Sequence, residues 1–375
     1  MHGPSITTKT RMAARTTKST STSSRTRSAV ARTALFTQPS TSSGMNTCVR
    51  APPNTQPDTD PFQAVKAFSK ARLRKRAQSN ILRQGPRQSG RFHRAGFGAP
   101  DAPNLGFKAQ QAKEAQDALY LIREEIAIMK KLNHPNLVQL IEVLDDPEDD
   151  SLYMVLEMCK KGVVMQVGLG EPATPYDEEQ CRYWFRDLIL GIEYRESSRC
   201  LVPVTTSLLC RAVHSQGVVH RDIKPDNLLL TDDDVLKIVD FGVSEMFEKP
   251  DNMRTAKSAG SPAFLPPELC VAKHGDVSGK AADIWSMGVS LYCLRYGRIP
   301  FEREGVLDIY EAIRTETPKL PSDENPEFID LMRRVLEKDP ERRITMTELR
   351  VRPRIRCCSF YRGPSLTSYP RNTRG

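Results

Sequence analysis

His220-Arg221-Asp222-Ile223-Lys224-Pro225-Asp226-Asn227, followed thirteen residues later by Asp240-Phe241-Gly242, is the stretch on which the reading of this chain turns. It sets a carboxylate, a cation, an amide and a second carboxylate at fixed separations. Asp222 falls in a loop, where a positioned carboxylate can accept the proton of an attacking hydroxyl. Lys224, two residues on, can reach the oxygens of a transferring phosphoryl group. Asn227 and Asp240 offer oxygen ligands to Mg2+, a hard cation that takes few protein ligands. Arg221, beside the base, can bind an anion on a neighbouring loop. Singly each residue reads as a loop charge; jointly they predict phosphoryl transfer from Mg-ATP.

Upstream, Ala64-Val65-Lys66-Ala67-Phe68 reads as a short strand with one cation among apolar neighbours. Ala118–Leu132 has helical period, with Ile122, Ile126 and Met129 on one face and Glu125 among them. A strand lysine can contact nucleotide phosphates when a helix carboxylate holds it, so Lys66 and Glu125 are candidate nucleotide-binding residues. His134-Pro135-Asn136 ends that helix. Leu137–Val143 and Leu152–Leu156 then read as two strands around the acidic turn Asp145–Asp150. Leu156 is expected to face the adenine, with backbone groups of Glu157 to Cys159 on the purine edge. The stretch that could cradle phosphates is Ser42-Ser43-Gly44-Met45-Asn46-Thr47-Cys48-Val49, which makes Gly44 and Val49 candidate contacts. It keeps one glycine of the three such a loop uses, and side chains hinder close backbone approach to phosphate.

Downstream, Cys181, Trp184, Phe185, Leu188, Ile189 and Ile192 form one stripe of a long helix, and Ala281–Cys293 is apolar nearly all round. Strands first and helices after them predict an α+β fold with a small sheet lobe and a larger helical lobe. Asp283, at the start of the buried helix, is placed to accept backbone hydrogen bonds from the catalytic loop. Glu268 and Arg343 are expected to form a buried ion pair. The segment from Asp240 to Glu268 carries Thr255, Ser258 and Ser261, and a phosphate on one of them could order it through Arg221.

Charge divides the chain. Residues 1–113 carry a balance of +17, residues 350–375 one of +7, and residues 114–349 one of −15. An acidic middle with basic ends does not suit a specific nucleic-acid-binding domain, and no aromatic residues interleave with the basic ones to stack on bases. No run approaches the ~18 apolar residues of a membrane span. The nine cysteines are scattered without a C-x-x-C pair, which fits a reducing, cytoplasmic compartment. Residues 1–57 read as a disordered basic tail, although their Ser, Thr and Arg content also resembles a transit peptide. The catalytic domain is expected over 58–349, with a basic insert at 71–116, an atypical insert at 195–213 and a basic tail at 350–375.

These motifs together resemble the eukaryotic protein kinases. The matching pieces are A-V-K at 64–66, Glu125, the catalytic loop, D-F-G at 240–242, P-P-E at 266–268, D-I-W-S-M-G at 283–288 and Arg343. Lys224 within K-P-D-N is similar to the serine/threonine kinases. D-F-G-V-S-E at 240–245, G-S-P-A-F-L-P-P-E at 260–268 and E-I-A-I-M-K-K-L at 125–132 resemble the calcium/calmodulin-dependent protein kinase kinases of fungal type. The resemblance implies a two-lobed fold, ATP and Mg2+ as cofactors, and other kinases as protein substrates, phosphorylated on their activation loops. It also implies a calmodulin-target helix after the domain, but the tail from Val351 offers no basic amphipathic stretch, so calmodulin control is not supported. The incomplete glycine loop and the insert before the catalytic loop leave a second reading open, a catalytically impaired pseudokinase or scaffold.

Overall fold

The computed structural model describes residues 47–50, 62–73, 75, 119–193, 212–250, 252–272 and 274–352. Its first layer is an antiparallel sheet of β1 (Thr47–Arg50), β2 (Phe62–Ser69), β3 (Leu140–Asp145) and β4 (Ser151–Glu157), in the order β1-β2-β4-β3. The register is set where β2 lies along β4, with Lys66 opposite Met154 and Val65 opposite Val155. A one-residue slip would turn Lys66 to the other face.

Helix α1 (Tyr120–Lys131) lies beside this sheet. Ile122, Ile128 and Met129 are buried, and Glu125 is buried among them at 4% exposure. A charge that deep needs a partner, because an isolated carboxylate taken out of water costs several kcal/mol.

The second lobe is helical. Helix α2 (Glu178–Ile192) starts at Asp177, whose side chain accepts the Gln180 N–H at 2.8 Å and so satisfies a donor that the first turn leaves unpaired. Its stripe of Cys181, Trp184, Phe185, Leu188, Ile189 and Ile192 is buried, each large side chain contributing roughly 1.5–3 kcal/mol. Helix α3 (Gly279–Tyr296) is buried from Ala282 to Leu294, as its all-round apolar sequence requires. It stops at Gly297, in the left-handed conformation. Helices α4 (Val306–Thr315), α5 (Pro326–Val335) and α6 (Met346–Val351) complete the lobe. Arg343 donates to both carboxylate oxygens of Glu268, at 2.8 and 2.9 Å.

Two features differ from the sequence reading or extend it. Leu137 and Val138 do not belong to the strand expected over 137–143. Val138 N–H donates to the Ile238 carbonyl at 3.0 Å and Ile238 N–H to that of Asn136 at 2.9 Å, so this piece fastens the sheet lobe to the helical one. Further on, Val213 N–H donates to the Gly191 carbonyl at 3.1 Å, joining the chain across the intervening segment. Most of that atypical insert lies outside the described residues, as do Gly44, nearly all of the expected N-terminal tail and of the insert at 71–116, and the tail beyond Arg352. Among the described residues no helix is long and apolar enough to cross a membrane.

Candidate active site

Four elements bring their charges to one cleft between the lobes. Lys66, on β2, donates to Glu125 of α1 at 2.8 Å and to Asp240 at 3.0 Å. Burial disfavours all three charges. Lys66 has two carboxylates to offset it, and they hold its amine above the usual lysine range. Burial pushes Glu125 up, because its one cation is shared. Asp240 is opposed by burial too, but Lys66 and the Gly242 N–H hold its carboxyl below the usual range, so it is an anion at neutral pH.

The catalytic loop is held from below. Asp283 is fully buried on α3; its carboxylate accepts the N–H of His220 at 2.9 Å and that of Arg221 at 2.8 Å, and meets His214 Nε2 at 2.8 Å. Burial opposes the charge, yet these hydrogen bonds, His214 foremost, keep the carboxyl below its ordinary range. Arg221 and Asp240 both have φ of 67°. Left-handed backbone costs a non-glycine residue of order 1–3 kcal/mol and persists only where surrounding structure enforces it. At Arg221 the Asp283 carboxylate supplies that enforcement.

Asp222 therefore projects from a fixed loop. Its Oδ1 accepts from the N–H and the hydroxyl of Ser261, both at 2.9 Å. Its Oδ2 meets Lys224 Nζ at 3.1 Å and accepts from Asn227 Nδ2 at 3.1 Å. Lys224 also donates to the Ser261 hydroxyl at 2.8 Å. A side-chain hydroxyl thus sits between the carboxylate and the ammonium. Asn227 uses its amide nitrogen on Asp222, and its amide oxygen takes no part in those bonds.

That oxygen and the Asp240 carboxylate are the hard donors that Mg2+ prefers. Among the described residues no group of three or more His, Cys, Asp or Glu side chains could hold a metal. Two such donors suit magnesium, which is usually held by few protein ligands.

The remaining candidates divide. Glu157 ends β4, and its carboxylate meets Lys237 at 2.6 Å and accepts the Gln139 N–H at 3.2 Å. Cys159 is buried, and burial beside Glu157 pushes its thiol up to about 12, so it stays protonated. The Glu157 side chain is paired and that of Cys159 is buried; of their backbone groups, the Glu157 N–H donates to the Gln139 carbonyl and the Cys159 carbonyl accepts the Gly162 N–H, both at 3.0 Å. Leu156 is buried in the core. Val49 lies in β1, opposite Gln63 of β2. Gly44 is outside the described residues.

Sequence reading missed the contact of Ser261 with Asp222. The signal was Gly260 before it: with φ of 113°, a Cβ there would overlap the carbonyl oxygen of Arg221. It also missed Glu245, whose carboxylate takes the Arg221 guanidinium at 3.2 Å. Glu245 closes the D-F-G-V-S-E motif, but nothing in that motif points to Arg221.

Comparison with known proteins agrees with this geometry. The protein kinase domain matches residues 106–202 and 205–353. The chain is 53% identical over 292 residues to the calcium/calmodulin-dependent protein kinase kinase cmkC of Emericella nidulans, covering 77% of this chain and 52% of that one. It is 35% identical to the serine/threonine-protein kinase ppk34 of Schizosaccharomyces pombe, covering 76% of this chain and 73% of that one. It is 38% identical to the calcium/calmodulin-dependent protein kinase kinase of Caenorhabditis elegans, covering 63% and 40%. The chain spans about half the length of the Emericella protein. The relatives are named as kinases, and nothing among them supports the scaffold reading. A matched domain that takes in the catalytic loop, Asp240 and Arg343, on a two-lobed α+β fold, places this chain in the protein kinase family.

Proposed function

We propose that the chain is a serine/threonine protein kinase that moves the γ-phosphate of ATP to a Ser or Thr hydroxyl of a protein substrate. The observation that carries this reading is the Ser261 hydroxyl, which sits 2.9 Å from Asp222 and 2.8 Å from Lys224. The position of this hydroxyl, between a carboxylate and an ammonium, supports reading the pair as a site for an aliphatic alcohol.

In the reaction Asp222 takes the substrate hydroxyl proton as the new O–P bond forms. The bond from the γ-phosphorus to the bridging oxygen breaks, and ADP leaves with the electron pair. Lys224 offsets the charge of the transferring oxygens. Lys66, kept in place by Glu125, holds the nucleotide phosphates. The Asn227 amide oxygen and the Asp240 carboxylate would hold a magnesium ion, which would supply charge neutralisation at the phosphate oxygens. Backbone groups of Glu157 and Cys159 meet the purine, and Val49, on β1, is a candidate phosphate contact together with Gly44, which lies outside the described residues.

For the substrate, the reading extends to activation loops of other kinases. Its support is the similarity to two proteins whose names describe a kinase acting on a kinase. Phosphate transfer from Mg-ATP to such a loop tests both levels, beside a Ser/Thr peptide unrelated to kinases and Asp222→Asn as control. Transfer to the loop alone supports the finer reading. Transfer to neither by a folded, nucleotide-binding chain overturns the activity.

A further inference from the structure

Arg221 was a candidate anchor for a phosphate added to the segment from Asp240 to Glu268. Its guanidinium is already engaged. Nη1 lies 3.2 Å from Glu245 Oε2, and Nε donates to the Val243 carbonyl at 2.7 Å. Glu245 is set there by backbone pairing, as it lies opposite Val219, the residue before His220. The same carboxylate gathers the far side of the segment. Thr255 Oγ1 donates to Oε2 at 2.6 Å, and Lys257 Nζ lies 3.1 Å from Oε1. Thr255 also accepts the Lys257 N–H at 3.1 Å.

We propose that Glu245 is a positioning residue that orders this segment in the unphosphorylated chain, filling at Arg221 the place an added phosphate would take. A phosphate brings about −1.5 to −2 charges and several acceptor oxygens to an arginine. Glu245 brings one charge and two oxygens, but they already receive three donors from the catalytic loop and the segment. These bonds hold its carboxyl below the usual range against the effect of burial. Helix α1 shares the cluster: Glu124, next to Glu125, is pushed up by burial and by Glu245, while Lys257 and Arg221 oppose the shift.

The arrangement also assigns Thr255. Its side chain is buried, at 3% exposure, and its hydroxyl is the donor to Glu245. Phosphorylation would remove that donor and set a dianion against Glu245. It would open the segment rather than order it.

The inference rests on the kinase reading only for its effect on turnover, so the test reads order directly. Hydrogen exchange is followed by mass spectrometry on the full chain, shown by intact mass to carry no phosphate. Amides of 254–261 in the wild type should exchange slowly. In Glu245→Gln they should exchange at least about 10-fold faster, with α3 unchanged, and Glu245→Asp should recover much of the protection. Wild-type amides that exchange as fast as those of Glu245→Gln would overturn the proposal. If Glu245→Gln also loosens α3, Thr255→Val decides, since it removes one donor and no charge: faster exchange at 254–261 supports the proposal, and wild-type exchange overturns it. A wild type that protects the segment through Glu245 but transfers no phosphate would sink the kinase reading alone.

Discussion

The carboxylate of Asp283 accepts the Arg221 N–H at 2.8 Å, across 62 residues of sequence, and so fixes a left-handed residue next to the candidate base. The position of Asp222 is thus inherited from a buried helix rather than from its own loop. Asp283→Asn keeps the shape but loses the charge that His214 and two backbone amides face. It should cost about 3–5 kcal/mol at pH 7, the range for breaking a buried charged network. The pH dependence follows from the depressed carboxyl. Stability from Asp283 is fully present above the ordinary carboxylate value of about 4 and is lost as pH falls through the lower, folded value. Urea unfolding between pH 7 and pH 3 should show a steeper acid loss in the wild type than in Asp283→Asn.

Lys66 serves two carboxylates at once. Lys66→Met should lower kcat/KM for ATP by at least about 100-fold, the scale of losing a preorganised charge at a reacting phosphate. Lys66→Arg should not restore it, because a planar fork cannot replace a point charge in a pocket set by two oxygens. Steady-state kinetics with varied ATP separates these outcomes from a simple loss of affinity.

Asp222→Asn and Asp240→Asn should each abolish transfer while the fold persists. The first should retain nucleotide binding with its magnesium dependence and lose turnover with its general base. The second should lose the magnesium dependence itself. Nucleotide titrations with and without Mg2+ on both variants distinguish the two roles; retained turnover in either would refute its assignment.

Gly260→Ala should impair transfer more than stability. A Cβ at that φ meets the Arg221 carbonyl and displaces Ser261 from Asp222. Gly297→Ala is the contrast, since its Cβ would meet the Ala173 carbonyl, away from the cleft. It should lower stability by about 1–3 kcal/mol for an enforced left-handed residue, with kcat little changed. Thermal melts and single-turnover rates on both variants check the division.

Much of the fold was legible because it repeats over short distances. The stripe of α2 and the all-round apolarity of α3 are periodic signals, and the catalytic loop is a run of fixed spacings. Lys66 and Glu125 could be paired in advance because a strand lysine contacts nucleotide phosphates when a helix carboxylate holds it, and Glu125 shares the apolar face of Ile122, Ile126 and Met129. Leu137 and Val138 misled for the opposite reason: their sequence suits a strand, and only the distant Ile238 decides which lobe they join. The role of Glu245 was not legible because it comes from Arg221, Thr255 and Lys257, none of which is its neighbour in sequence.

The bond from Val213 to Gly191 has a consequence for how this chain can change. That bond brings the two described flanks together at one spot, whatever the number of residues between them. Closing a loop twice as long costs only about 0.6 kcal/mol more in chain entropy. The spot is therefore a natural seam, where sequence can be gained, lost or replaced by a foreign module while the machinery on either side keeps its register.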